Sequence, residues 1–261
     1  MTALRAIAAE LDRRQALLSR SGWAALALLL LCLAAMTVDP RLIRGVSVWT
    51  KPAKFAGSFV PWFWTLAWAW GVLAPELRQG RVARAALWTT LGAGWFELGW
   101  ITLRAALGLP SHFATDPLGQ AMYTLMGIGA VALVVAAAVL GVLVLARSAP
   151  RQERTWVFAV GWGLVLAGTL GLLTGATISG HDGPYVGATP LDGSAFPPFF
   201  WSRDGGDLRV AHFIGIHAMQ ALPALALLGA SLPMIAFAAV AWAATTLAAL
   251  AAALAGLPLS P

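Results

Sequence analysis

Residues 118–146 read LGQAMYTLMGIGAVALVVAAAVLGVLVLA. The run holds no charged side chain, and it exceeds the roughly 20 apolar residues that an α-helix needs to cross the hydrocarbon core of a bilayer. In lipid the backbone must satisfy its own hydrogen bonds, which an α-helix does within a single segment. The run therefore predicts a transmembrane helix, and it sets the fold class for the rest of the chain.

The composition of the whole chain agrees with this class. Of 261 residues, 59% are hydrophobic and 11% are charged, and the mean hydropathy is +0.77. A soluble domain of this size has too little interior for so much apolar surface, so the lipid bilayer is the expected partner. The net charge of +6 comes from basic residues that flank the apolar runs, a pattern that indicates membrane topology and no nucleic acid partner. The single cysteine, Cys32, excludes an internal disulfide and a cluster of thiolate ligands.

Six further apolar segments of sufficient length lie on either side of this run, so the fold class is all-α, a polytopic transmembrane helical bundle. The predicted seven spans are residues 22–38, 55–75, 84–107, 118–146, 155–179, 208–229 and 232–256. Only a tight turn near Gly229 separates the last two segments, so the alternative prediction is six spans. Residues 1–21 are a predicted N-terminal segment, and residues 22–256 a single transmembrane domain.

The distribution of Lys and Arg predicts the orientation. The segments that share a side with the N-terminus carry more Lys and Arg than the segments on the opposite side, and such an excess marks the cytoplasmic face. We therefore expect a bacterial inner (plasma) membrane protein with a cytoplasmic N-terminus and a periplasmic C-terminus.

All four histidines fall on the predicted periplasmic side. His112 follows the third span, His181 follows the fifth, and His212 and His217 lie in the first turns of the sixth. Neutral imidazoles are ligands for zinc and copper, and Asp182 and Asp207 would serve as further ligands or hydrogen-bond the imidazoles. Haem fits less well, because only His217 is clearly within a span. His212 and His217 are about 140° apart on a regular helix, so each is expected to meet a different partner.

A second group of polar residues predicts a cavity at membrane depth. Glu97 and Arg104 are seven residues apart on the third span, which puts them on one face about 10 Å apart. That face must point inward, because an ionised group costs several kcal/mol in lipid. The remaining members of the predicted polar cavity are Lys54, Arg209 and Gln220. A buried structural pair is the competing interpretation of Glu97 and Arg104.

The connection over residues 180–207 is longer than the unstructured loops that usually join helices in a compact domain. It contains Tyr185, Trp201 and several phenylalanines and prolines among glycines. We expect an ordered external cap before the sixth span, and an aromatic belt at the membrane interface is the alternative.

Three stretches carry a resemblance to a group of bacterial polytopic membrane proteins: VWTKPAKF at residues 48–55, PSHF at 110–113 and GDLRVAHFIGIHAMQ at 206–220. The resemblance covers most of the chain and implies a fold of about seven spans, but no particular activity. The five-residue interval between His212 and His217 departs from the HxxxH pattern of seven-span ceramidases.

Three functions follow as hypotheses, and none of them decides whether the chain is an enzyme. The first is a periplasm-facing site of His, Asp and Arg residues that binds a metal ion or a small ligand. The second is a transporter or lipid-binding protein that uses Glu97, Arg104 and His217 in the polar cavity, although the sequence shows no inverted repeat and no broken helix pair of the kind transporters use. The third is a structural or assembly protein without a ligand.

Overall fold

The computed structural model describes residues 3–43, 45–112, 116–150, 152–181, 183–187, 195–196 and 199–258. The chain is all-α, as predicted. Its helices are α1 (Ala3–Val38), α2 (Thr50–Trp70), α3 (Pro75–Arg78), α4 (Arg81–Ala106), α5 (Pro117–Ala146), α6 (Arg154–Gly180), α7 (Leu208–Ile216), α8 (Ala218–Leu227) and α9 (Leu232–Leu254). Short strands are β1 (Leu42–Ile43), β2 (Val46–Ser47), β3 (Tyr185–Val186), β4 (Ala195–Phe196), β5 (Trp201–Ser202) and β6 (Gly206–Asp207).

Each of the seven predicted spans overlaps helix, although α2 ends at Trp70, before the predicted end at residue 75, and the sixth span is divided between α7 and α8. Among the described residues, α1, α5, α6 and α9 are long and apolar enough to cross a membrane, and the bent pair of α7 and α8 is a fifth if it counts as one span. These helices indicate a membrane protein, whereas the number of seven crossings stays a prediction.

The first helix has a break near its start. Gln15 has an extended backbone inside α1, with φ −157° and ψ 99°. Its side-chain oxygen accepts hydrogen bonds from the N–H groups of Leu17 (2.7 Å) and Leu18 (3.4 Å). Gln15 therefore acts as an N-cap for the apolar part of the helix.

Two compact units make up the chain. Unit 1 contains Met1–Val72 and Arg78–Leu133, with α1, α2, α4 and the first half of α5. The antiparallel pair β1–β2 joins α1 to α2. These two helices approach closely because Gly22 faces the indole of Trp64. That indole contacts Trp23 with the ring centroids 4.7 Å apart and the planes tilted by 60°, and its N–H donates to the carbonyl of Ser19. The single domain over residues 22–256 stays a prediction.

Unit 2 contains Leu73–Leu77 and Val134–Pro261. Glycines bring its helices close together, as is common where membrane helices associate. A Cβ atom on Gly141 would lie 2.6 Å from the carbonyl oxygen of Gly161, and one on Gly163 would lie 2.9 Å from that of Ala218. Larger residues at these positions would separate α5, α6 and α8.

The predicted sixth span is broken, which corrects the expectation of no broken helix. Helices α7 and α8 meet at His217 with a bend of 43°. At the break, the N–H of His217 bonds to the carbonyls of Phe213 and Ile214, and the indole N–H of Trp242 donates to the Ile214 carbonyl at 2.8 Å. In the sequence, Gly215 lies two residues before the bend, and no proline lies at the bend itself.

The described part of residues 180–207 is ordered by strand pairing. Strand β3 pairs with β6, and β4 pairs with β5, both antiparallel. Residues 182, 188–194 and 197–198 lie outside the described residues, and the external position of this connection stays a prediction.

Candidate functional site

Glu97 lies at the centre of the candidate site in unit 1. Glu97 lies on α4 and is 4% exposed, and its Oε1 atom has no hydrogen-bond partner among the described residues. Helix α5 presents Gly129 to this atom, and a Cβ there would lie 3.4 Å from Oε1. A buried polar group of this kind costs about 1–3 kcal/mol when its bonds are unmade. Because Gly129 has no side chain, α5 brings no side-chain donor to Oε1 at this position.

His112 lies in the connection between α4 and α5, packed between aromatic rings. Its ring centroid is 6.0 Å from that of Phe55 on α2 and 5.6 Å from that of Tyr123 on α5. Burial lowers the pKa of His112 to about 3, and the nearby charge of Lys51 contributes to this shift. His112 is therefore a neutral imidazole near pH 7.

Lys51 links these two groups electrostatically. Its charge acts on the carboxyl of Glu97 and on the imidazole of His112, and its Nζ lies 6.0 Å from the ring centroid of Phe55. Lys51 and Tyr123 are missing from the predicted site. The four-residue interval from Lys51 to Phe55 puts both on one face of α2, which is the signal that the sequence offered. Lys54, which was predicted instead, is half-buried on the same helix.

Arg104 is buried, and its guanidinium bonds to the connection between α4 and α5. Its Nε donates to the carbonyl of Pro110 at 2.9 Å, and its Nη2 donates to Asp116 Oδ2 at 2.8 Å. Asp116 also accepts the N–H of Gly119 at 2.8 Å, at the start of α5. The Arg104 guanidinium lowers the pKa of Asp116. Arg104 therefore positions the loop that carries His112.

The two histidines of α7 lie in unit 2, each with a local partner. Thr174 Oγ1 donates to the Leu170 carbonyl at 2.7 Å and lies 2.9 Å from His212 Nδ1. Because the hydroxyl proton goes to Leu170, His212 Nδ1 is the donor to Thr174. His217 Nδ1 lies 3.1 Å from Gln220 Oε1, as the three-residue spacing predicts.

Asp207 and Arg209 form a clasp in unit 2. The side chain of Asp207, which is 3% exposed, accepts from the backbone N–H of Arg209 at 3.0 Å, from Arg209 Nε at 2.9 Å and from the N–H of Ser202 at 2.9 Å. Arg209 Nη2 donates to the Phe200 carbonyl at 2.7 Å, and the guanidinium lies over Tyr185. Asp207 is thus the N-cap of α7 and a satisfied structural carboxylate.

The predicted metal site has no support in the part of the chain that the structure describes. No group of three or more His, Cys, Asp or Glu side chains there is arranged to hold an ion. His181 is exposed after α6, and Asp182 lies outside the described residues. His112 belongs to unit 1, whereas His212 and His217 belong to unit 2 and have the partners given above.

In comparisons with known proteins, no family model, no curated protein and no solved structure matches the chain. The chemistry of the described residues is therefore what bears on function. Unit 1 combines a buried carboxyl, an ammonium and a neutral imidazole near aromatic rings. Such a set can bind a small polar molecule by hydrogen bonds and charge.

Proposed function

We propose that the chain is a seven-span protein of a bacterial inner membrane, with a cytoplasmic N-terminus, whose N-terminal unit binds a small molecule beside Glu97. The long apolar helices and the distribution of Lys and Arg support the membrane assignment. Membership in the resembled group of bacterial polytopic proteins is part of the proposal. The observation that carries the binding function is the Glu97 oxygen that lacks a partner among the described residues.

The ligand is a small molecule with at least one N–H or O–H donor. A donor would satisfy the Glu97 carboxyl, whose burial is otherwise costly. Phe55 and Tyr123 offer apolar contact on either side of His112, and Lys51 supplies a countercharge for an acidic group on the same molecule.

The end of unit 1 that carries His112 is the proposed route to this carboxyl. Lys51 stands in the first turn of α2, and His112 follows the last turn of α4. Glu97 lies nine residues before the end of α4 at Ala106, which corresponds to about 14 Å along the helix. A molecule that enters at this end passes the aromatic rings before it reaches the carboxyl.

A hydrophobic carbodiimide tests whether small molecules reach Glu97. Dicyclohexylcarbodiimide partitions into membranes and adds covalently to protonated carboxyl groups. We expect mass spectrometry of the digested full chain to find the adduct on Glu97, and to find none at this position in Glu97→Gln. Gly129→Val should suppress the adduct, because the new side chain fills the space beside Oε1. Gly127→Val is the matched control, because a Cβ there meets nothing within 4 Å.

Two results would reject the binding function. One is an unlabelled Glu97 in a preparation whose exposed carboxyl groups react. The other is equal labelling in Gly129→Val and Gly127→Val, because Gly129 would then not control access to the carboxyl.

Transport is a second candidate, favoured by the break between α7 and α8. Discontinuous helices expose backbone groups that transporters use to bind substrates and ions. Proteoliposomes that contain a pH-sensitive dye would test proton movement after an imposed pH jump. Transport predicts faster equilibration than in protein-free liposomes and a loss of that rate in His217→Asn, because His217 lies at the break; a rate equal to that of protein-free liposomes would reject it.

A further inference from the structure

Arginines converge at the opposite end of unit 1 from His112, where α2 ends. Arg14 Nη1 donates to the carbonyl of Trp68 at 2.9 Å, and Arg78 Nη2 donates to the carbonyl of Gly71 at 2.9 Å. Both carbonyls belong to the end of α2, where the negative end of the helix dipole favours cations. Gly71 makes the approach possible, because a Cβ there would lie 2.7 Å from Arg14.

This arginine cluster, composed of Arg13, Arg14 and Arg78, concentrates positive charge at one place. Glu10 pairs with Arg13 at 2.7 Å and with Arg14 at 2.6 Å. Burial lowers the pKa of Arg78, and the charges of Arg13 and Arg14 lower it further. The guanidinium groups therefore repel one another, and an added anion would relieve this repulsion.

The cluster adjoins exposed apolar side chains on the same helix. Leu4 and Ile7 of α1 are both more than half exposed, and they lie three residues apart on one face. Arg14 follows Ile7 by seven residues and therefore continues that face. The Arg13 side chain is 70% exposed. Cationic groups next to exposed apolar ones are typical of helices that lie at a membrane surface.

We propose that the arginine cluster binds the phosphate of an anionic phospholipid, whose acyl chains contact Leu4 and Ile7. Guanidinium groups form charge-assisted, forked hydrogen bonds with phosphate oxygens. The apolar side chains explain why the occupant is a lipid and not a free phosphate. This site is independent of the Glu97 site, because its arginines bond where α2 ends, whereas Glu97 is influenced by Lys51 at the start of α2.

Lipid retention by the purified full chain tests the site. Native mass spectrometry would compare phosphatidylglycerol with phosphatidylcholine, added separately to protein in detergent. We expect preferential retention of phosphatidylglycerol and a loss of about fivefold in its affinity for each arginine removed, in Arg13→Gln and Arg78→Gln. Arg84→Gln is the matched control, since Arg84 is an exposed arginine at the start of α4.

The outcomes separate the site from simpler explanations. Retention of both lipids to the same extent would overturn the proposal, as would an equal loss in Arg84→Gln, which would mean general surface charge. Displacement of the lipid by inorganic phosphate alone would overturn the lipid assignment. Arg13→Gln keeps the test valid if Arg78→Gln does not fold, because the Arg13 side chain is largely exposed.

Discussion

Each unit of this protein has one buried carboxylate among its described residues, and these two carboxylates differ in their partners. Asp207 in unit 2 is 3% exposed and accepts hydrogen bonds from Arg209 and Ser202. Glu97 in unit 1 is 4% exposed, and its Oε1 has no hydrogen-bond partner in the described ranges. The two carboxylates are equally buried, but their hydrogen bonding differs. This difference separates Asp207, which stabilises the fold, from Glu97, which is available to a ligand.

Removal of the Asp207 carboxyl should have the largest effect on stability. Asp207→Ala leaves Arg209 without its partner at the clasp and removes the cap of α7. We expect the free energy of unfolding to fall by about 3 kcal/mol, as for other broken buried pairs. Thermal unfolding in detergent measures this, with Asp204→Ala at an exposed position as the control. An unchanged midpoint would mean that the clasp does not stabilise unit 2.

Removal of Arg104 should have a smaller effect, confined to the loop of unit 1. Arg104→Ala breaks the bonds to Pro110 and Asp116, and we expect a loss of about 2 kcal/mol. Hydrogen exchange should become faster around His112 and at the start of α5. The exposed arginine variant Arg84→Ala should leave this exchange unchanged. Protection equal to wild type in Arg104→Ala would contradict the positioning role.

The pH dependence of stability tests the burial of His112. Its pKa in the folded chain, about 3, lies below the ordinary value of 6.5, so the unfolded state binds the proton more readily. The neutral imidazole therefore contributes stability above pH 6.5, and this contribution is lost as the pH falls from 6.5 toward 3. Between pH 7 and pH 5 we expect a loss of about 1–2 kcal/mol in wild type.

Variants identify which histidine causes this pH dependence. His112→Asn should reduce the loss of stability between pH 7 and pH 5. His181→Asn should not, because His181 is exposed. If the two variants have the same profile, His112 is not buried as described.

Glu97→Gln should have the smallest effect on stability. The substitution removes a buried carboxyl whose Oε1 has no hydrogen bond to lose within the described chain, so we expect a change within about 1 kcal/mol. Chemical unfolding of Glu97→Gln and Asp207→Ala under the same conditions compares the two losses of stability directly. A loss as large as that of Asp207→Ala would make Glu97 a structural carboxylate.

The sequence predicts the helices well because hydrophobic run length is a local property. Residues 118–146 match α5 almost end to end. The hydrogen bonds by which Asp207 caps α7 and His217 contacts Gln220 are also local, since each joins residues two or three positions apart.

The candidate site depends on contacts that no local pattern encodes. Lys51, Glu97 and His112 come from three separate segments, and only the packing of α2, α4 and α5 brings them together. The four histidines share a predicted side of the membrane, but a shared side does not imply a shared partner. His212 and His217 each bond to a neighbour in unit 2.

Carbodiimide labelling of Glu97 and Asp207 in one digest tests the difference between the two carboxylates most directly. We predict an adduct on Glu97 and none on Asp207, because hydrogen bonds and the ion pair with Arg209 already occupy both carboxylate oxygens of Asp207. Labelling of Asp207 at the same rate as Glu97, or of neither residue while exposed carboxyl groups react, would contradict a ligand site at Glu97.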